Sequence, residues 1–487
     1  MQARNTVPAR NTAPARNTAP ARNTAPARKT VQPDGLRIRL VVPGNVRHNS
    51  GGNVYNAALA RELAALSVDV DICPLDGGWP VGSPEDRRRL AALLIDGDGD
   101  SGAANDHDAD GDDADDARAA ASAAAKRQVT LVDGLLACGA PEDLAAAAAA
   151  GRPAWILLHM PLDDTGHGET GLERRALWAA AGVISTSTSA AAGIRARHGL
   201  DGVRTALPGS DPAALAAGSE PPHLLAVAAL LPNKDQSLLL AALSALTDLP
   251  WTASLVGSDT ADPAYAAGLR DTVNRLGLQD RIRLPGELRG GALEAEWAAA
   301  DLSLLISRAE TFGLVVTESI ARGVPVVVRA GTGAVEALAS GTTALAAPAA
   351  LTPAPAPAQP PAALAAAPTP TETDGTETLP GTAVALDADP APLTEVLRRW
   401  LSEPGLRARW RDAAVAARDR LPGWDATART VLAALHPQHS DQDHPDPERH
   451  AAPPSASLRA APSGSPWAAP QEKPAEEDSP AAPAGGQ

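Results

Sequence analysis

Two carboxylates eight residues apart, Glu310 and Glu318, flank a Phe312-Gly313 turn within SRAETFGLVVTESIARGVPVVVRAGTGAVE, residues 307–336. Ionised carboxylates accept hydrogen bonds from sugar or ribose hydroxyls, and a helix N-terminus favours their charge. Thr317–Arg322 reads as a short helix, which puts Glu318 near its start and Glu310 on the loop before it. The apolar run Val324–Val328 suits a strand buried on both faces of a parallel sheet. Gly331-Thr332-Gly333 then makes a turn whose missing side chains let backbone approach a ligand, and a helix follows over Ala334–Ala339. Strand, glycine turn and helix start together present N–H groups and a positive dipole end, a geometry that suits an anion such as a diphosphate. Either glutamate alone would be an ordinary surface or capping residue; the whole segment argues for chemistry.

The elements that must position this segment recur along the chain. RIRLVV from Arg37, VDVDIC (68–73), VTLVD (129–133), AWILLH (154–159) and GVIST (182–186) read as strands alternating with helices, the first of them Asn53–Leu66. The alternation restarts at HLLAVAALL (223–231) and runs through Ser237–Leu246, WTASLVG, Pro263–Leu276, RIRLPG and DLSLLIS. Such order implies parallel, doubly wound sheets in two Rossmann-like domains.

Ser50-Gly51-Gly52-Asn53 precedes the first helix, so its amides are placed for an anion, or simply make a strand-to-helix turn. His159 closes an apolar strand at the carboxyl edge, where open α/β sheets bind ligands, though many such histidines are structural. Asp106, Asp108, Asp110 and Gly111 match the opening of a calcium loop, but its closing position is Ala117, so the run reads as a solvated linker. No metal site is expected.

The 307–336 segment resembles the signature of family 4 glycosyltransferases, retaining enzymes of the GT-B fold, of the kind carried by high-GC actinobacteria. That pattern is Glu, seven residues, Glu, with Phe-Gly after the first and Gly-x-Pro-Val-Val after the second. Here it is carried by Glu310, Glu318, Phe312, Gly313, Gly323, Pro325, Val326 and Val327. The resemblance implies that Glu310 and the backbone of Phe312, Gly313, Leu314 and Val315 contact the transferred sugar, and that Glu318 holds the nucleotide ribose. Gly331, Gly333 and Glu336 resemble the family's next glycine turn and acid. Gly51 and Gly52 resemble its glycine loop beside donor and acceptor, and His159 its histidine facing the reacting sugar. Lys234 looks like the lysine that neutralises the donor diphosphate, but the family's Gly-Arg before it is Ala228-Ala229 here. Losing one cation would cost about 1.5–3 kcal/mol unless another replaces it.

With 487 residues the chain accommodates two domains plus tails. Its formal charge of −16 disfavours nonspecific nucleic-acid binding, although ten aspartates between Asp96 and Asp116 carry much of the excess. Aromatics are only 2%, so Ala, Leu and Val are expected to fill the interior. Two cysteines, Cys73 and Cys138, make no disulfide framework and favour a reducing cytoplasm. No run reaches the roughly 18 apolar residues of a membrane span, and contact with a membrane surface is not favoured.

The expected organisation is therefore α/β and GT-B, two Rossmann-like domains facing a central cleft with disordered tails and insertions. Residues 1–35 are a disordered repeat tail of ARNTAP type, 36–208 an acceptor domain with an acidic insertion at 96–117, and 209–222 a linker. Residues 223–400 form a nucleotide-sugar domain with a Pro/Ala-rich insertion at 349–380, and 401–435 hold terminal helices, of which Leu406–Arg420 resembles the family's return to the first domain. Residues 436–487 are a tail. The expected activity is transfer of a hexosyl group from a nucleotide-diphosphate sugar to a small-molecule, glycan or lipid hydroxyl, with retention and without a cofactor. A nucleotide-sugar epimerase or phosphorylase of the same fold, or a non-catalytic sugar-nucleotide binder, are the alternatives. A nicotinamide-dependent oxidoreductase is disfavoured because no Gly-x-Gly-x-x-Gly follows the first strand.

Overall fold

The computed structural model describes residues 36–45, 50–95, 127–162, 169–342 and 378–436. The repeat tail at 1–35, the acidic segment at 96–117, residues 349–377 of the Pro/Ala-rich insertion and the tail from 437 lie outside the described residues.

The first half runs β1 (Leu36–Pro43), α1 (Gly51–Ala65), β2 (Asp69–Leu75), α2 (Pro84–Ile95), β3 (Arg127–Asp133), α3 (Gly134–Ala137), α4 (Pro141–Ala149), β4 (Trp155–Leu158), α5 (Glu169–Ala179), β5 (Gly182–Ser185), α6 (Thr188–His198) and β6 (Arg204–Thr205). The second runs β7 (His223–Val227), a 3₁₀ turn (Pro232–Lys234), α7 (Gln236–Ser244), β8 (Thr252–Val256), α8 (Pro263–Arg275), β9 (Ile282–Gly286), α9 (Gly290–Ala299), β10 (Leu302–Leu305), α10 (Leu314–Ala321), β11 (Val326–Arg329), α11 (Ala334–Leu338) and β12 (Gly381–Val384). Then come α12 (Ala391–Ser402), α13 (Pro404–Arg418) and α14 (Trp424–Leu435).

Each half builds a six-stranded parallel sheet, in the orders β2-β1-β3-β4-β5-β6 and β12-β11-β10-β7-β8-β9. These are two Rossmann-like α/β domains. Strand order reverses between β1 and β3 in one sheet and between β7 and β10 in the other, and the crevice at such a switch point is where open α/β sheets bind ligands. The central strands explain why the local pattern reads as continuous apolar runs: all four residues of β10 and of β11 are buried, with helices on both faces.

Helix starts follow side-chain chemistry. Ser50 accepts from the Asn53 amide at the head of α1, and Ser187 accepts from Ala190 at the head of α6. Ala, Leu and Val fill most of the interior, as expected, and among the described residues Trp251, Trp297, Trp400 and Tyr55 join them all but fully buried.

The terminal helices require a correction. Leu406–Arg420 was expected to return to the first domain, but α13 packs on the second, with Trp410 in the core around β7 and β8 and Ala417 against Val316 and Ile320. The return is made by α14, whose Trp424, Val431 and Leu435 join Tyr55, Leu59 and Leu63 of α1 in one cluster. Tyr55 meets Trp424 edge to face at 5.4 Å, and its hydroxyl donates to the Ala206 carbonyl at 2.9 Å. Each of these large side chains contributes about 1.5–3 kcal/mol by burial. The two domains are thus tied by α14 as well as by their linker.

Candidate active site

The loops after β1 and β4 in the first domain and after β7, β10 and β11 in the second carry the expected site residues at the carboxyl edges of the two sheets, and β3 ends beside them. Both switch points are included.

In the second domain, Gly313 is the N-cap of α10 at φ +88°, where a Cβ would also lie 2.7 Å from Leu305 Cδ2. That glycine fixes where the helix begins. The helix expected from Thr317 therefore starts three residues earlier, at Leu314, and the Leu314 and Val315 amides belong to its first turn. Phe312 itself is buried in the core beneath, 4% exposed, so only its backbone faces outward. Glu318 consequently sits in the second turn rather than near the start. Burial raises its carboxyl above the ordinary value, with Arg322 opposing and Glu294 and Asp211 adding to the rise. A half-buried acid of this kind gains from hydroxyl donors that would stabilise its ionised form.

Lys234 closes the 3₁₀ turn after β7, and its Nζ lies 2.6 Å from Glu310 Oε1 after β10. The two side chains are about one-fifth exposed or less, 21% and 15%, so each serves as counter-ion to the other in a partly desolvated edge. Asp235, in the left-handed region at φ 56°, stands beside them and is shared by Arg308 at 3.1 Å and by the buried Arg329.

The turn after β11 has a structural role within the domain. Gly331 needs its φ of +78°, but a Cβ on Gly333 would lie 1.8 Å from the Thr311 carbonyl oxygen, and the Gly333 amide donates to Glu310 O at 2.7 Å. Gly333 thus holds the Glu310 loop. The following α11 has only five residues, with Glu336 in its first turn. Glu336 crosses to the first domain and accepts from Thr188 Oγ1 at 2.7 Å and Thr188 N at 3.0 Å, at the N-terminus of α6.

In the first domain, His159 follows β4. Its Nε2 lies 2.9 Å from Asn56 Oδ1 and 3.3 Å from Asp133 Oδ2, while Asn56 Nδ2 donates to Asp133 Oδ2 at 2.7 Å. Two acceptors at Nε2 place a proton there and leave Nδ1 turned away from this pair. Burial works to raise the Asp133 carboxyl, but His159, the Leu135 amide and Asn56 outweigh it and hold it below the ordinary range. Tyr55 meets the imidazole edge to face at 5.1 Å, and Gly52 lies against its ring, where a Cβ would come within 3.2 Å of Cδ2. Gly51 heads α1 and faces Leu314 Cδ1 of the second domain, 3.7 Å from where its Cβ would be.

His159, Gly51 and Gly52 are therefore gathered on one side, and Lys234, Glu310, Phe312, Gly313, Leu314, Val315, Glu318, Gly331 and Gly333 on the other. Asp133, Asn56, Asp235, Arg308 and Arg329 were missed. Two of them left a signal: Asp133 ends the run VTLVD at the same carboxyl edge, and Asn56 stands four residues beyond Gly52, on one helix face. Among the described residues, no group of three or more His, Cys, Asp or Glu is arranged to hold a metal, and no helix is long and apolar enough to cross a membrane.

The family model of glycosyl transferases group 1 matches residues 210–353. The mannosylfructose-phosphate synthase of Agrobacterium fabrum is 34% identical over 134 residues, a match spanning 26% of this chain and 30% of that protein's length. Among solved structures, a glycosyltransferase from Rickettsia africae aligns with a TM-score of 0.55 at 16% identity, covering 82% of this chain and 97% of its own. Sucrose-phosphate synthase of Thermosynechococcus elongatus aligns at 0.54 and 18%, covering 82% and 100%. HepE of Anabaena in complex with UDP aligns at 0.53 and 16%, covering 82% and 99%. The chain carries a glycosyl transferases group 1 domain in residues 210–353, set in the two-domain fold of GT-B glycosyltransferases.

Proposed function

We propose that the protein is a retaining glycosyltransferase of the family 4 type, moving a hexosyl group from a nucleotide-diphosphate sugar to an acceptor hydroxyl. The observation that carries this reading is the pairing of Lys234 with Glu310 at the β7–β10 switch point, opposite His159 and its Asp133–Asn56 support. The second domain would take the nucleotide, with Glu318 accepting from ribose hydroxyls. Lys234 and the first-turn amides of α10 would stabilise charge on the leaving diphosphate, the term that lowers the barrier most in such transfers. Glu310 would hold hydroxyls of the transferred sugar. His159 would form a hydrogen bond through Nδ1 with a hydroxyl of the sugar or acceptor.

In the reaction the bond from the anomeric carbon to the diphosphate oxygen breaks and a bond to the acceptor oxygen forms on the same face. The acceptor proton passes to the departing phosphate oxygen. Support comes from the group 1 domain match and from a solved relative of the same fold that binds UDP. The decisive experiment measures nucleotide release and melting shift with UDP, GDP and ADP sugars over a panel of acceptors. One nucleotide should stabilise the wild type and lose its effect in Glu318→Ala and Lys234→Ala. A folded protein stabilised by none of them refutes the reading. Binding without release in any acceptor pool would favour a non-catalytic binder.

A further inference from the structure

We propose that Arg308 is the cation that replaces the missing arginine at Ala229 in binding the donor diphosphate. The inference rests on the donor-site reading given under Proposed function. Four observations carry it.

First, the position itself has no charge to offer: Ala229 only presents its carbonyl, which accepts from Gln236 Nε2 at 2.9 Å. Second, Lys234 alone is insufficient, because its ammonium is matched by Glu310 at 2.6 Å and the pair brings no net charge to a ligand carrying at least two negative ones. Third, Arg308 is fixed beside that lysine. It leaves the carboxyl end of β10 two residues before Glu310, and its amide donates to the Asn233 carbonyl at 2.8 Å, which clamps its backbone onto the turn that carries Lys234. Fourth, its guanidinium is not needed for neutrality. Asp235 is bonded through its other oxygen to Arg329, whose side chain is only 8% exposed, so the buried pair is complete without Arg308.

Lys234, Arg308 and Arg329 against Glu310 and Asp235 count 3 − 2 = +1; exposed Asp387 faces buried Arg329, and the Arg308 charge sits on the most exposed member. The Arg308 side chain is 57% exposed and meets Asp235 through one nitrogen at 3.1 Å, leaving further donors of its planar fork directed to solvent. A guanidinium held by one bond at the rim of a switch point is well placed to turn onto a phosphate and bind it through two parallel hydrogen bonds.

The test separates diphosphate recognition from general binding. Affinities for UDP, GDP and ADP, and for UMP, GMP and AMP, are measured by calorimetry on the wild type, Arg308→Ala, Arg308→Lys and the double variant Arg308→Ala with Ala229→Arg. For the nucleotide that binds, Arg308→Ala should weaken the diphosphate roughly ten- to hundredfold. The matching monophosphate should change by less than about threefold, because only the contact to the distal phosphate is removed. Lysine should recover part of the loss and Ala229→Arg most of it. An unchanged ratio of diphosphate to monophosphate affinity overturns the inference, even if melting falls, since a clamp on Asp235 alone would act on stability and not on that ratio. A wild type that binds no nucleoside diphosphate overturns the donor-site reading and this inference with it.

Discussion

Glu336 links the two domains by a contact whose removal has a calculable effect. Its carboxylate accepts from Thr188 Oγ1 at 2.7 Å, from Thr188 N at 3.0 and 3.2 Å through its two oxygens, and from Ser189 N at 3.5 Å. It thereby caps the positive end of the 11-residue α6 from the opposite domain. Glu336→Gln keeps the shape but leaves one oxygen, and turns an amide group toward N–H donors that it cannot satisfy. The lost charge at the helix end is worth about 0.3–1 kcal/mol at a solvent-reached site. The lost acceptor adds about 0.5–1.5 kcal/mol. Together these give roughly 1–2 kcal/mol, a factor of about 5–30 in the equilibrium between closed and open domains. Small-angle scattering should show an increased radius of gyration. Melting should change little, because each domain keeps its own core. Thr188→Ala should produce part of the same opening, and the double variant should add less than the sum of the two singles. Superimposable scattering curves for Glu336→Gln and wild type, or strictly additive effects in the cycle, would refute the idea that this contact holds the cleft closed.

Three further predictions concern single positions. Asp133→Asn removes a buried charge that receives bonds from Asn56 and Leu135 and faces His159, and should destabilise the protein by about 2–3 kcal/mol in urea unfolding. Its folded pKa lies below the ordinary 3.8, so its contribution is present above that value and is lost as pH falls through the lower folded one; wild type and variant should therefore converge in strong acid. Glu318 is shifted the other way: its folded pKa is raised above 4.5 by burial, so the fold favours the protonated form below 4.5 and loses that stability as pH rises through the folded value. Glu318→Gln should accordingly melt higher than wild type at pH 7 to 8, with the advantage gone near pH 4, while losing nucleotide-induced stabilisation. Gly333→Ala places a methyl 1.8 Å from the Thr311 carbonyl and must push the Glu310 loop by more than an ångström, so both melting temperature and donor binding should drop; a variant that binds normally would show that the loop is not held there.

Much of this was written in local pattern. The alternation of strand and helix, its restart at His223 and the buried runs of β10 and β11 follow from periodicities that each segment carries by itself. Helix starts were less accessible. The onset of α10 depends on Gly313 adopting a left-handed conformation against Leu305, a residue eight positions earlier on a neighbouring strand, so Thr317 looked like the first helical residue. The return helix was misplaced for a similar reason: α13 and α14 are both amphipathic, and only the fit of Trp424 to Tyr55 decides which one reaches α1.

The site shows where such reading stops. Residue type and position marked Glu310 and His159, and the family resemblance marked Lys234, but what each side chain does depends on its partner, and partners are chosen by strand order. Lys234 and Glu310 are 76 residues apart and meet because β7 and β10 are neighbours at the switch point. Asn56 and Asp133 are 77 apart and meet because α1 and β3 flank the corresponding point of the first sheet. The substitution at Ala229 looked, within its own segment, like a lost cation. In the folded edge Arg308, from the loop after another strand, brings to the turn after β7 a charge that Asp235 does not require. A deficit seen in one segment is a property of that segment; the charge available to a ligand is a property of the edge where loops from several strands converge.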